Sequence, residues 1–219
     1  MRRIIFAIAL LFATAPVFAK MQAKPVEWTL DGKAFSGFLV YDDATSAKRP
    51  GVLMVPDWKG AGDNAVAKAK HIAGSDYVVL LADVYGKGVR PKNDEEAMAQ
   101  VKGLYADRNV LRARANKALD VLRAQAANAP IDTRRIGAVG YCFGGATVLE
   151  LARSGADLAA VVTFHGALNT DKPAVRGDFK PSLLVLNGAD DSYVAKDIPA
   201  FEKEMNDAGV DWQFVNFSG

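Results

Sequence analysis

The sequence predicts an α/β fold: a mostly parallel central sheet with helices on both faces and a β-hairpin at the N-terminal end. Three observations carry that prediction. From Gly51 onward, short apolar runs alternate with longer stretches of helical periodicity, the pattern of a parallel sheet with crossover helices. Glycines and aspartates gather at the ends of the apolar runs, where turns belong. The chain of 219 residues suits one domain with a full-sized core, without internal repeats or a linker-like tract.

The elements follow in chain order. Met1-Arg2-Arg3, the apolar run Ile4 to Ala15 and the ending Pro16-Val17-Phe18-Ala19 read as a secretory signal cleaved after Ala19, so residues 1–19 stand apart from a single domain over residues 20–219. The apolar run is short for a membrane span and no later run approaches spanning length, so no span is expected after cleavage. Val26 to Leu30 and Ala34 to Tyr41 flank Asp31-Gly32-Lys33 as a hairpin. Gly51 to Val55 is an apolar strand, Asn64 to Ala73 a helix and Tyr77 to Leu81 a strand. Asp94 to Ala127 carries helix broken near Asn109. Arg135 to Val139 is a buried strand and Ala146 to Arg153 a helix. Leu158 to Phe164, Ser182 to Leu186 and Trp212 to Phe217 are strands, with a helix from Ala195 to Ala208 before the last.

Charge and cysteine count restrict the function. Loss of Arg2 and Arg3 leaves 25 basic against 25 acidic residues, and this neutrality without a basic cluster argues against a nucleic-acid surface. The single cysteine has no intrachain partner, so an exported, periplasmic chain carries it as a free thiol in an oxidising compartment. Two scattered histidines and one cysteine give no metal-ligand spacing.

That cysteine sits in Gly140-Tyr141-Cys142-Phe143-Gly144-Gly145, between a predicted strand and a predicted helix. A strand, a sharp turn and a helix with a nucleophilic residue at the turn form a nucleophile elbow, in which the residues two before and two after the nucleophile must lack side chains. The helix N-terminus favours negative charge on the sulfur, and the thiolate is the attacking species. A buried inert cysteine in a glycine-flanked turn is the bland alternative. In parallel sheets ligands gather at the carboxyl ends of strands, which here carry Pro56-Asp57-Trp58-Lys59-Gly60, Ala82-Asp83-Val84-Tyr85-Gly86-Lys87, His165-Gly166 and Asn187-Gly188-Ala189-Asp190-Asp191. An aspartate at such an end also serves as a cap or turn former, and a lone lysine as a solvated charge.

On the Gly-x-Cys-x-Gly-Gly elbow, the Asp-x-Tyr-Gly-Lys stretch and the Gly-x-x-Asp-x-x-Val stretch in this order, the chain resembles the dienelactone hydrolase family of the α/β-hydrolase superfamily across nearly all of residues 20–219. The resemblance implies an α/β-hydrolase fold and hydrolysis of a small, possibly acidic ester or lactone by a cysteine nucleophile, with no cofactor. It implies Cys142 as nucleophile, Asp191 as triad acid, and the backbone N–H groups of Phe143 and Trp58 as oxyanion hole. Asp57 stands where the family commonly has a glutamate facing the thiol, and Lys87 where lactone-cleaving members hold an arginine for the substrate carboxylate. Tyr85, in the Asp-x-Tyr-Gly-Lys stretch, and His165, at a strand end, are the other substrate-binding candidates. The family's histidine follows the last strand by a few residues, so this reading places the general base beyond Gly219 and treats the sequence as an incomplete copy; His165, at a strand end near the pocket, is the lesser alternative. A monomer or small homo-oligomer is expected.

Two other classes compete. Gly60-Ala61-Gly62-Asp63-Asn64-Ala65, with Asp83 downstream, fits a dinucleotide fingerprint, although Pro56 to Lys59 separate strand from glycine where the true fingerprint turns at once. A non-catalytic binding protein on a hydrolase scaffold is the other.

Overall fold

A computed structural model describes residues 20–218. The expected signal at residues 1–19 and the chain end at Gly219 lie outside the described residues. Eight strands form one sheet: β1 (Met21–Leu30), β2 (Lys33–Asp42), β3 (Arg49–Val55), β4 (Val78–Leu81), β5 (Ile131–Tyr141), β6 (Ala160–Phe164), β7 (Ser182–Gly188) and β8 (Trp212–Phe217). Their order is β1-β2-β4-β3-β5-β6-β7-β8. The β1–β2 hairpin and the β2–β4 pair are antiparallel, and every other neighbouring pair is parallel. Asp31 and Gly32 make the hairpin turn with φ of 50° and 74°, the left-handed geometry that short aspartate and glycine tolerate.

The helices are α1 (Asp63–Ala73), α2 (Asp94–Ala106), α3 (Arg108–Ala124), α4 (Phe143–Arg153), a single turn α5 (Ser192–Ala195) and α6 (Ile198–Ala208). The predicted break near Asn109 falls at Asp107, whose Oδ1 accepts the Asn109 N–H at 3.0 Å and so caps α3. Asn93 caps α2 by accepting the Glu96 N–H at 2.8 Å, while the Glu96 carboxylate accepts the Asn93 side-chain Nδ2–H at 3.2 Å and the Lys92 N–H at 2.8 Å.

Residue alternation along the strands separates two packed layers. Leu53, Val55, Val78, Leu80, Ala138, Val161, Leu183 and Val185 face the larger core, which α3, α4 and α6 close with Leu111, Leu119, Leu122, Leu149, Phe201 and Met205. Met54, Val79, Leu81 and Val139 face the other way, against α1 through Ala69 and Ala73. Helices therefore lie on both faces, though unequally. Among the described residues α1 alone covers the second face. The stretch over β5 and β6 is left as an apolar groove of about 460 Å³, floored by Val139, Tyr141, Val162 and Phe164. Tyr141 and Phe164 stack there at 4.8 Å between ring centroids.

Candidate active site

The turn between β5 and α4 shows why its sequence is rich in glycine. Cys142 holds φ 54° and ψ −116°, a strained backbone for a residue with a Cβ, and its N–H donates to Phe164 O at 2.8 Å. A Cβ on Gly140 would stand 2.1 Å from Gly144 O. One on Gly144 would stand 2.2 Å from Val55 O and 2.4 Å from Pro56 O. The elbow is thus pressed onto the end of β3 and tolerates no side chain on either flank. Gly166, just after His165, is equally confined, with a Cβ position 2.6 Å from Ala146 N.

Cys142 opens into a cavity of about 490 Å³. Phe143, His165, Ala167, Trp58 and Tyr193 line it together with the cysteine. The remaining wall is one face of α2, made by Met98, Val101, Lys102 and Tyr105. These four recur at i, i+3, i+4 and i+7, the spacing of one helical stripe. That signal was present in the sequence, where it reads as an ordinary core face. Lys102 brings the wall's one cation, and it is exposed.

The electrostatics at the sulfur run against the simple helix-end expectation. Burial pushes the Cys142 thiol up from its ordinary value, and the carboxylates of Asp57 and Asp191 push in the same direction. The Phe143 N–H opposes them without prevailing. A negative charge near a group disfavours its anionic form, and here two such charges and desolvation outweigh one donor.

Asp191 is the cap of α5. Its Oδ1 accepts the Tyr193 N–H at 3.0 Å, and its Oδ2 lies 2.5 Å from His165 Nδ1. The ring N–H is not aligned on that oxygen, so the contact is one of close approach rather than a hydrogen bond, and Asp191 Oδ2 is buried with no donor among the described residues. His165 itself has φ 54° and an exposed side chain, and its N–H is held by Leu186 O at 2.9 Å. His71, the other histidine, is exposed on α1, away from the cavity lining.

Other predicted residues take supporting places. Asp57 Oδ1 accepts the Lys59 N–H at 2.9 Å and shapes the turn that carries Trp58. Tyr85 is buried rather than lining the cavity, and its hydroxyl donates to Trp58 O at 3.0 Å, so it anchors the Trp58 peptide instead of meeting a ligand. Lys87 also lies outside the cavity. Gly86, at φ 131°, turns the chain back toward the hairpin, and Lys87 pairs with Glu27 on β1 at 2.8 Å. Asp83, the acid of the apparent dinucleotide fingerprint, is buried and accepts the Ser36, Tyr85 and Gly86 N–H groups at 3.0 to 3.1 Å, leaving it no access to a ribose.

The profile of the Dienelactone hydrolase family matches residues 35–219. The solved structure of m3DLH is 38% identical, with a TM-score of 0.82 over 90% of this chain and 81% of that one. The dienelactone hydrolase-like promiscuous phosphotriesterase P91 from metagenomic libraries is 35% identical, with a TM-score of 0.81 over 91% of this chain and 82% of that one. Uncharacterized protein K02A2.1 of Caenorhabditis elegans is 34% identical over 116 residues, covering 51% of this chain and 71% of that protein. Elbow, strand order and family match agree, and the chain belongs to the dienelactone hydrolase family of the α/β-hydrolase superfamily.

Proposed function

We propose that this hydrolase cleaves small esters or lactones through Cys142 and a thioester intermediate. The observation that carries the reading is the glycine-walled elbow, which holds Cys142 in a strained conformation at the start of α4 and opens it to a cavity shared with His165. A thiol pushed up by burial and two carboxylates needs a base to take its proton, and Asp191, with a buried oxygen that has no donor among the described residues, is the group that orients that base.

The steps are as follows. An imidazole takes the Cys142 proton as sulfur bonds to the substrate carbonyl carbon. The carbonyl oxygen becomes an oxyanion facing the Phe143 and Trp58 N–H groups, whose alignment is worth roughly 3 kcal/mol per donor in comparable sites. The C–O bond then breaks, and the leaving alkoxide takes the proton from the imidazolium. In a lactone that alkoxide stays tethered to the acyl group. Water, giving its proton to the imidazole, attacks the thioester carbon; the C–S bond breaks, the acid leaves and the thiol is restored.

Cys142→Ala should abolish hydrolysis of p-nitrophenyl acetate and of a small lactone; turnover at the original rate would refute the nucleophile. The assay includes a phosphotriester because the relative P91 is described as a promiscuous phosphotriesterase. An acyl adduct on Cys142 without multiple turnovers would favour the binding-protein reading. The imidazole beside Asp191 in the structure is that of His165, whereas the family pattern sets its histidine after β8. His165→Ala tests that imidazole: lost activity identifies His165 as the base, and retained activity beside a dead Asp191→Asn shows that His165 is not the base. We further propose that residues 1–19 are a secretion signal, so that the enzyme works in the periplasm; a periplasmic protein whose N-terminus is not Lys20 would refute the cleavage point.

A further inference from the structure

Arg108 begins α3, where a cation opposes the helix dipole, so local preference argues against arginine there. Its contacts to Glu150 and Asn169 are tertiary, and the one to Tyr105 is local. Nη1 lies 3.3 Å from Glu150 Oε1 and donates to Asn169 O at 2.9 Å, Nη2 donates to Asn169 Oδ1 at 2.6 Å, and the guanidinium lies over the Tyr105 ring at 4.6 Å. Glu150 belongs to α4, the helix that starts at Cys142, and its fully buried carboxylate also receives Arg112 Nε at 2.7 Å and Arg153 Nη1 at 3.1 Å. Arg153 in turn donates to Leu168 O at 2.8 Å. Tyr105 lies tilted against Phe143 at 5.8 Å between ring centroids, and both rings line the cavity.

One guanidinium therefore touches the aromatic wall on α2, the segment running on from His165, and the elbow helix. A planar fork with several donors holds such a three-way contact in a way a point charge cannot. We infer that Arg108 is a positioning residue, which sets the Tyr105 wall and the Ala167–Asn169 segment at a fixed distance from Cys142 by referring both to Glu150. The inference rests on the hydrolase reading of this cavity. It implies that the contribution of Arg108 grows with substrate size, because an ester that fills the cavity meets Tyr105 and Ala167 and a small one does not reach them.

The experiment compares kcat/KM for p-nitrophenyl benzoate and for ethyl acetate in the full chain and in Arg108→Met, which keeps the side chain's apolar stem. The ratio of the larger to the smaller ester should fall about tenfold, the order expected when a wall shifts by a fraction of an ångström. An unchanged ratio, with or without a general loss of rate, would overturn the inference, since a merely structural arginine lowers the active fraction for both esters alike. If Arg108→Met does not fold, Arg108→Lys keeps the charge beside Glu150 without the planar contacts, and the same ratio is read there. Cys142→Ala runs in parallel: hydrolysis surviving in it refutes the nucleophile, whereas a flat ratio beside an inactive Cys142→Ala refutes only the role of Arg108.

Discussion

At Cys142, burial and charge both disfavour the resting thiolate, and this gives its reactivity a definite pH dependence. A group whose pKa is raised by neighbouring carboxylates is released when those charges are removed. Alkylation by iodoacetamide should have its midpoint above the value of about 8.5 for a free cysteine. Asp57→Asn and Asp191→Asn should each move that midpoint down, and a midpoint that rises or stays in both would contradict the assignment of cause. Lys102 supplies a second test, because it is the cation on an otherwise apolar cavity wall. An exposed ion pair is worth roughly 0.2–1 kcal/mol, so Lys102→Glu should raise KM for an ester ending in a carboxylate by about twofold to fivefold and leave the neutral methyl ester nearly unchanged. Equal KM changes for both would show that the lysine does not meet the substrate. These two lysines also show what the chain alone conceals. Lys87 is well placed in the linear order, after a strand end, but the turn at Gly86 carries it to Glu27, and nothing in a one-dimensional pattern announces that pairing. Lys102 sits within a helical stripe that reads as core because a cavity and a core look alike from one helix.

The elements were more legible, because each is set by forces between near neighbours. Apolar runs and the glycines of the elbow are readable from short stretches of sequence, and the strands and helices fall within a few residues of their expected bounds, except β1, which was expected from Val26 and begins at Met21. The departures have local causes. The strand expected from Arg135 begins at Ile131, because its pairing with β3 shifts register between Pro50 and Gly51 and the extra residues loop around Asp132, which binds Arg134 and Arg135 at 3.1 and 2.9 Å. The Glu150–arginine cluster was not foreseen, since it joins α3 to α4 and to the segment after β6, 38 to 61 residues further along the chain. The glycines give a prediction at this scale. Gly144→Ala forces a Cβ to within 2.2 Å of a backbone oxygen and should cost about 1–3 kcal/mol or more in urea unfolding. Gly103, in the middle of α2 with open space around its Cβ position, should behave oppositely, Gly103→Ala stabilising by roughly 0.5–1 kcal/mol. Equal effects in the two variants would show that the elbow is not close-packed.

For the whole molecule, the unequal covering of the sheet is the feature with the broadest effect. Coverage by α3, α4 and α6 on one face and by α1 on the other leaves Val162 and Phe164 only partly buried within the described residues. An apolar groove of this kind binds apolar dyes, so residues 20–218 should enhance ANS fluorescence in the folded state, and Val162→Lys should reduce it. A signal insensitive to Val162 would place the dye elsewhere. The covered face has the opposite character, and its extreme is α4, in which every residue from Phe143 to Arg153 is buried. A helix enclosed in this way has no route to open by itself. Its amides should therefore exchange with solvent only when the entire domain unfolds, making their protection a direct reading of global stability. The mount that carries Cys142 then shares the lifetime of the fold, and thermal inactivation and loss of tertiary structure should follow a single time course.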